Sequence, residues 1–284
     1  MNLTTKPSRM ALALLAGLAW MGCSTPSDHR SAPSDPSMLR VGFAPDRPPM
    51  TFQQGDRVHG IEPELAQQAA RELGRRFDGV VMEPGELVPA LQRGELDTVM
   101  SPSALLAAGP GSVLLTQPYL RTGQRLVIRR ADLAQLGLPG AMQHTGARVG
   151  YVYSSPGEEY VRQHLDPYNR ELYGFASASA GVRSLKAERI DFFIHAAPAV
   201  WWLTSGPNGS DLIVLNAALT EEDQVFGVAE DNLPLKRALD RLIDEWRASN
   251  TLPRVIERWI PERTGRGGSG SSGSGTKVDS PNGG

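Results

Sequence analysis

The chain has 284 residues, a formal net charge of −2 and one cysteine. The near-balanced charge excludes nucleic acid and anionic membrane surfaces as principal partners, since neither would meet a basic face. The single cysteine excludes an intramolecular disulfide, and the length suits two modest lobes or one large domain.

The first residues read as a targeting segment. Lys6 and Arg9 supply positive charge, and Met10 to Met21 is apolar. That run is too short to span a hydrocarbon core of about 30 Å. Gly22-Cys23 follows, which resembles a bacterial lipoprotein cleavage site, with Trp20 departing from the usual leucine. The resemblance implies a signal peptide over 1–22 and a lipid on Cys23. An ordinary secretory leader with an incidental cysteine is the alternative. Residues 23–38 lack apolar periodicity and read as a flexible tether.

Leu39, Val41 and Phe43 then alternate as a strand does. Pro45, Pro48 and Pro49 interrupt sheet pairing, because proline has no N–H to donate. A polar turn over 53–60 leads to a helix. Pro63 suits its first turn, while Glu62 and Glu64 complement the positive helix end. Leu65, Ala69 and Leu73 line one face, and Gly74 offers a left-handed cap.

Phe77 to Met82 reads as a strand, Glu86 to Arg93 as a short helix, and Leu96 to Met100 as a strand entered through Asp97. The segment Val88–Met100 has a counterpart in Val182–Ile194. In each, a leucine (Leu91, Leu185) precedes an aspartate (Asp97, Asp191) by six residues. One supersecondary unit thus recurs, which suggests two lobes of like construction. Leu114–Arg130 lies between the copies. Ala147–Leu165 reads as a strand, a serine turn and a helix, and Pro198–Leu203 as a helix whose Trp201 and Trp202 pack into a buried face or, alternatively, offer a ligand shelf. Leu212–Leu215 and Gln224–Val228 look like a return crossing. Two helices close the folded part, one striped by Leu235, Leu239, Leu242, Ile243 and Trp246, the other by Leu252, Val255, Ile256 and Trp259. Residues 264–284 form a Gly/Ser tail that reads as disordered.

His29, His59, His144, His164 and His195 are scattered without metal-ligand spacing. No phosphate loop, nucleophile elbow or paired-cysteine motif is present, so no catalytic residue, metal or cofactor is expected.

Gly60-Ile61-Glu62-Pro63-Glu64-Leu65, followed by Ala69, Ala70 and Leu73, resembles the signature of the bacterial extracytoplasmic solute-binding proteins of family 3, the polar amino-acid type. Pro63 stands where an aliphatic residue is usual. The resemblance runs from about Leu39 to Glu262. It implies an α/β, two-lobed periplasmic-binding-protein type 2 fold. Residues 39–123 with 225–263 would form lobe 1 and residues 124–224 lobe 2, joined by two hinge crossings near Gln124 and Gln224. It further implies a monomer in the bacterial periplasm, lipid-anchored to a membrane, that closes on a small-molecule solute. The solute would pass to the membrane subunits of an ABC transporter or to a sensor.

The family grips an α-amino acid with an arginine, an aspartate and an aromatic shelf. Here those positions fall on Gly109, Ala196 and Arg47. The resemblance therefore implies a changed ligand held by Asp46, Arg47, Ser101, Ser103, Tyr153, Ser154, Ser155 and His195. Backbone N–H groups at the helix start after Ser155 suit an anion, and Arg121 is a further cation candidate. Two alternatives stay open. One is an enzyme similar to cyclohexadienyl dehydratases, with His195 or Asp46 as acid or base. The other is a partner-binding lipoprotein with a vestigial cleft.

Overall fold

The computed structural model describes residues 35–109, 111–138, 140–143, 146–165, 171–205 and 209–260. The leader, Cys23, nearly all of the tether, His29, His144 and the 264–284 tail lie outside them.

Strand β1 (Met38–Phe43) leads into a hairpin of β2 (Phe52–Gln54) and β3 (Arg57–His59), then α1 (Ile61–Glu72). Next come β4 (Arg76–Val81), α2 (Pro84–Gln92), β5 (Thr98–Met100), α3 (Pro102–Ala107) and β6 (Leu114–Leu115). The chain crosses over on β7 (Leu120–Thr122) and enters β8 (Gln124–Arg129) and α4 (Leu133–Leu136). There follow β9 (Arg148–Val152), α5 (Pro156–His164), β10 (Glu171–Phe175), α6 (Ala178–Lys186), β11 (Phe192–Ala196), α7 (Ala197–Thr204) and β12 (Leu212–Ala218). The return is β13 (Glu222–Gln224) and β14 (Gly227–Val228), and α8 (Leu233–Ala248) and α9 (Thr251–Trp259) complete the described chain.

The strands form two five-stranded sheets, ordered β4-β1-β5-β14-β6 and β10-β9-β11-β8-β12. In each, three neighbouring strands run parallel, the fourth runs opposite to them, and the fifth pairs antiparallel with the fourth. Each sheet is covered on both faces, so central strands carry apolar residues on both sides, as Val99 and Met100 do in β5 and Phe192, Phe193 and Ile194 in β11. In the first lobe Leu39, Val41 and Phe43 pack toward α1 and α8, while Val99 packs with Leu87 and Leu91 of α2. In the second, Phe192 and Ile194 pack with Val161 of α5, and Phe193 with Val182 and Leu185 of α6.

The two crossings pair as a separate ribbon, β7 against β13. Gln224 Nε2 donates to Thr122 Oγ1 at 3.1 Å, and Gln124 Nε2 donates to Glu222 Oε1 at 2.8 Å. Gly123, at φ 147°, sits between β7 and β8, and a Cβ there would lie 1.8 Å from the Thr220 carbonyl oxygen. Only glycine lets the two crossings approach this closely.

Several elements differ from expectation. The prolines of 45–49 do not end sheet pairing, because Arg47 bridges Thr51 and the β2–β3 hairpin follows at once. The polar turn is the tip of that hairpin. The strand expected over Leu96–Met100 starts at Thr98, since Asp97 caps the joint with Arg40 instead. The tryptophan pair is not buried within its own lobe. Trp201 packs against the first lobe's core, and the Trp202 ring lies 6.4 Å from that of Phe52 in the hairpin. The lobes therefore touch through α7.

Candidate functional site

The carboxyl ends of parallel strands are where an α/β sheet binds ligands, because the loops there diverge. Asp46 and Arg47 follow β1, and Ser101 and Ser103 follow β5. Tyr153, Ser154 and Ser155 follow β9, and His195 is the penultimate residue of β11. The structure thus brings the eight expected residues to the corresponding edges of the two sheets.

Arg47 does not pair with Asp46. Its Nη1 lies 3.6 Å from Oε1 of Glu62, a carboxylate that is 0% exposed. Glu62 also accepts from Thr51 Oγ1 at 2.6 Å and from the Tyr119 hydroxyl at 3.0 Å. Burial, with the Glu62 charge, pushes the Tyr119 hydroxyl well above its ordinary pKa, so it stays a donor. Glu62 is therefore more than a complement to the helix dipole. It fixes the loop that carries Arg47. Its backbone reinforces this, since its N–H donates to Met50 O at 3.0 Å, and Gly60 at φ 126° lies where a Cβ would meet that oxygen at 2.3 Å. Nη1 of Arg47 has no hydrogen bond within the protein.

Ser101 is fully buried with its Oγ 3.4 Å from that of exposed Ser103. Asp46 is exposed at a φ of 50°. Tyr153 is exposed, its ring edge-on to Tyr151 at 5.9 Å.

The helix start after Ser155 is already filled. Ser155 Oγ accepts from Glu158 N at 3.3 Å, and the Glu158 carboxylate accepts from Ser154 N at 2.6 Å. This reciprocal capping occupies two of the donors expected to hold an anion, Ser154 N–H and Glu158 N–H. Ser155 Oγ also donates to Val152 O at 2.6 Å. Arg121 is excluded as a cleft cation, because its side chain is 80% exposed and pairs with Asp223 at 3.3 Å.

His195 is largely buried and burial alone lowers its pKa to about 4, so its ring is neutral at pH 7. Its Nδ1 has no partner within the protein. Opposite it in the sheet lies Arg125, which the sequence reading missed. Arg125 sits at the head of β8 beside the crossing, where a cation reads as solvent-facing, and only the crossing of α7 over it shows otherwise.

Gly109 follows α3 at φ 78°, and Ala196 is the N-cap of α7 without a capping side chain. Neither supplies a charged group.

Residues 39–262 match the model of the bacterial extracellular solute-binding proteins, family 3. The chain belongs to that family. Its family-3 relatives include the probable amino-acid-binding protein YxeM of Bacillus subtilis, 20% identical over 88% of this chain and 92% of that protein. They also include an L-arginine-binding protein of Pseudomonas aeruginosa, 26% identical over 63% of this chain and 67% of that one. A solved ancestral cationic amino acid solute-binding protein superposes with a TM-score of 0.70 at 19% identity, covering 79% of this chain and 96% of that one. At that identity the likeness shows the two-lobed fold alone. The family's proteins bind solutes outside the cell's cytoplasm. Among the described residues, no helix is long and apolar enough to cross a membrane.

Proposed function

We propose that this family-3 protein captures a small solute other than a standard α-amino acid between its lobes and delivers it to the membrane subunits of an ABC transporter. Lobe 1 spans residues 39–123 and 225–263 and lobe 2 residues 124–224. The protein works as a monomer, held near the membrane by lipid on Cys23. One observation carries the ligand class: the amino-acid grips are replaced at Arg47, Gly109 and Ala196, while the scaffold around them is kept. The solute would be neutral and oxygen-rich or anionic, contacting Arg47, Ser101, Ser103 and His195. A zwitterion entering such a cleft would lose water without regaining partners for both charges, which costs several kcal/mol. Relatives on this scaffold bear amino-acid-binding names, and the proposal sets this chain apart from them by its replaced grips.

The test is a thermal-shift panel of the standard amino acids, organic acids and sugars on purified protein. An organic acid or sugar should stabilise at micromolar concentration, and the amino acids should not. Micromolar stabilisation by a standard amino acid refutes the reading. Processing and membrane attachment are tested by Cys23→Ser, which should leave the protein unprocessed or soluble.

A further inference from the structure

Arg125 is the second residue of β8, directly after the crossing, and His195 is its register partner on β11. Paired residues in an antiparallel ladder carry side chains on the same face, with Cβ atoms about 5 Å apart. That face is the one under α7, because Val127 and Phe193 share it and pack there with Val200. The Arg125 guanidinium lies 5.7 Å from the centre of the Trp201 ring. Trp201 in turn packs on the first lobe's core. The pair thus stands at the boundary between the lobes, at the ligand-binding edge of the second sheet.

The polar atoms of the pair are incompletely satisfied. Nη1 of Arg125 donates to the Asn216 carbonyl oxygen. Nε of Arg125 and Nδ1 of His195 are both buried and both without a hydrogen bond. Burial lowers the Arg125 pKa, and no neighbouring carboxylate offsets it. Buried donors are almost always paired, and a desolvated guanidinium without an anion is costly.

We infer that Arg125 and His195 form an anion subsite that receives a carboxylate group of the solute. With Nη1 held by Asn216, the Nε–Nη2 edge of the guanidinium is the free fork, and two parallel N–H donors match two carboxylate oxygens. The neutral His195 ring adds an N–H from Nδ1. Trp201 fixes the plane of the guanidinium by stacking and blocks water from that side. A ligand bound there meets the lobe boundary, so its carboxylate draws lobe 2 toward lobe 1. The inference rests on the reading that the cleft captures a solute, and it narrows that solute to an organic acid.

The test uses malonate, succinate, glutarate and adipate beside their diamides, which keep the length and lose the charge. Glucose and the standard amino acids complete the panel. Binding is read by calorimetry on wild type, Arg125→Gln, Arg125→Lys and Arg121→Gln, each first shown to be folded by circular dichroism. At least one diacid should bind and its diamide should not. Arg125→Gln should weaken that diacid roughly tenfold or more. Arg125→Lys, which keeps the charge and loses the fork, should weaken it less, and Arg121→Gln should leave it unchanged.

Unchanged affinity in Arg125→Gln overturns the subsite, as does a diamide that binds as well as its diacid, or no response to any diacid. Glucose binding that survives Arg125→Gln overturns the subsite and leaves solute capture standing. An amino acid that binds wild type and is lost from Arg125→Gln supports the subsite and overturns the ligand class. Silence across the panel, with no small molecule carried through native mass spectrometry, overturns both.

Discussion

Asp97 grips Arg40 through both carboxylate oxygens, and Asp191 repeats the grip on Arg148. Arg40 N donates to Asp97 Oδ2 at 2.8 Å and its Nη2 to Oδ1 at 3.0 Å, while Asp97 N returns a bond to Arg40 O at 2.9 Å. In the second lobe the matching distances are 3.1, 2.6 and 2.8 Å. Each joint ties the turn after a helix to the first parallel strand beside it, so each registers one sheet. Asp97→Ala and Asp191→Ala should each lower stability by about 2 kcal/mol, since a buried N–H and a guanidinium lose their acceptor. Hydrogen exchange should localise the damage, with β1 and β5 opening in the first variant and β9 and β11 in the second. Uniform acceleration in both lobes would show that the joints do not act locally. Burial pushes the Asp191 carboxyl up, but the Arg148 hydrogen bonds and charge outweigh it and hold the pKa below 3.8. Its contribution is therefore present above pH 3.8 and lost as pH falls through the lower folded value.

Those joints also show what the chain discloses in one dimension. The repeated spacing of Leu91 to Asp97 and Leu185 to Asp191 is local, and it marks both lobes before any contact is known. The α1 signature and the α8 stripe are legible for the same reason, because periodicity alone specifies a buried face. The Glu62 network is not legible that way. Its Tyr119 partner is 57 residues away, and Glu62 fits a helix N-terminus equally well on dipole grounds. Helix α3, of 6 residues, is too short to show a period. Arg125 is hidden because its value comes from Trp201, a residue of another element that happens to cross above it. Ser154 and Ser155 carry the right chemistry for an anion, but only the fold reveals that Glu158 reaches it first.

Phe52 and Trp202 join the lobes across the cleft, and both stand on short elements that move with their lobes. An aromatic pair is worth about 0.5–1.5 kcal/mol beyond its area. Trp202→Ala should therefore shift a ligand-free closed-to-open ratio by up to about tenfold. Small-angle scattering should give a larger radius of gyration for Trp202→Ala than for wild type without ligand. Identical profiles would mean that the hinge ribbon, not this contact, sets the closed geometry.

His195 makes stability depend on pH in a defined window. Its ordinary pKa is 6.5 and its folded value about 4, so between them the unfolded chain binds more protons. Stability is then full above pH 6.5 and falls as pH drops toward about 4. The span corresponds to about 3 kcal/mol. Urea midpoints measured from pH 7 to pH 4 should decline more steeply for wild type than for His195→Gln. Parallel curves would place the acid sensitivity elsewhere.

On the proposed reading, amino-acid grips should be restorable at Gly109 and Ala196, and the backbone sets the terms. Gly109 has a φ of 78°, so Gly109→Arg places a residue with a Cβ in a left-handed conformation, at a cost of about 1 kcal/mol. Space is not the obstacle, since a Cβ there would have no atom within 4 Å. Ala196 is the N-cap of α7 and carries no capping side chain, so Ala196→Asp supplies a preferred cap worth about 1 kcal/mol. The two changes should nearly cancel in stability, and the melting temperature of the double variant should stay close to that of wild type. Its ligand preference should not stay. An arginine on the first lobe and an aspartate on the second would give a zwitterion both counter-charges, and each pair would offset part of its desolvation. Titration calorimetry with the standard amino acids should then detect binding in the double variant and none in wild type. A folded double variant that still ignores every amino acid would show that Gly109 and Ala196 do not face the solute.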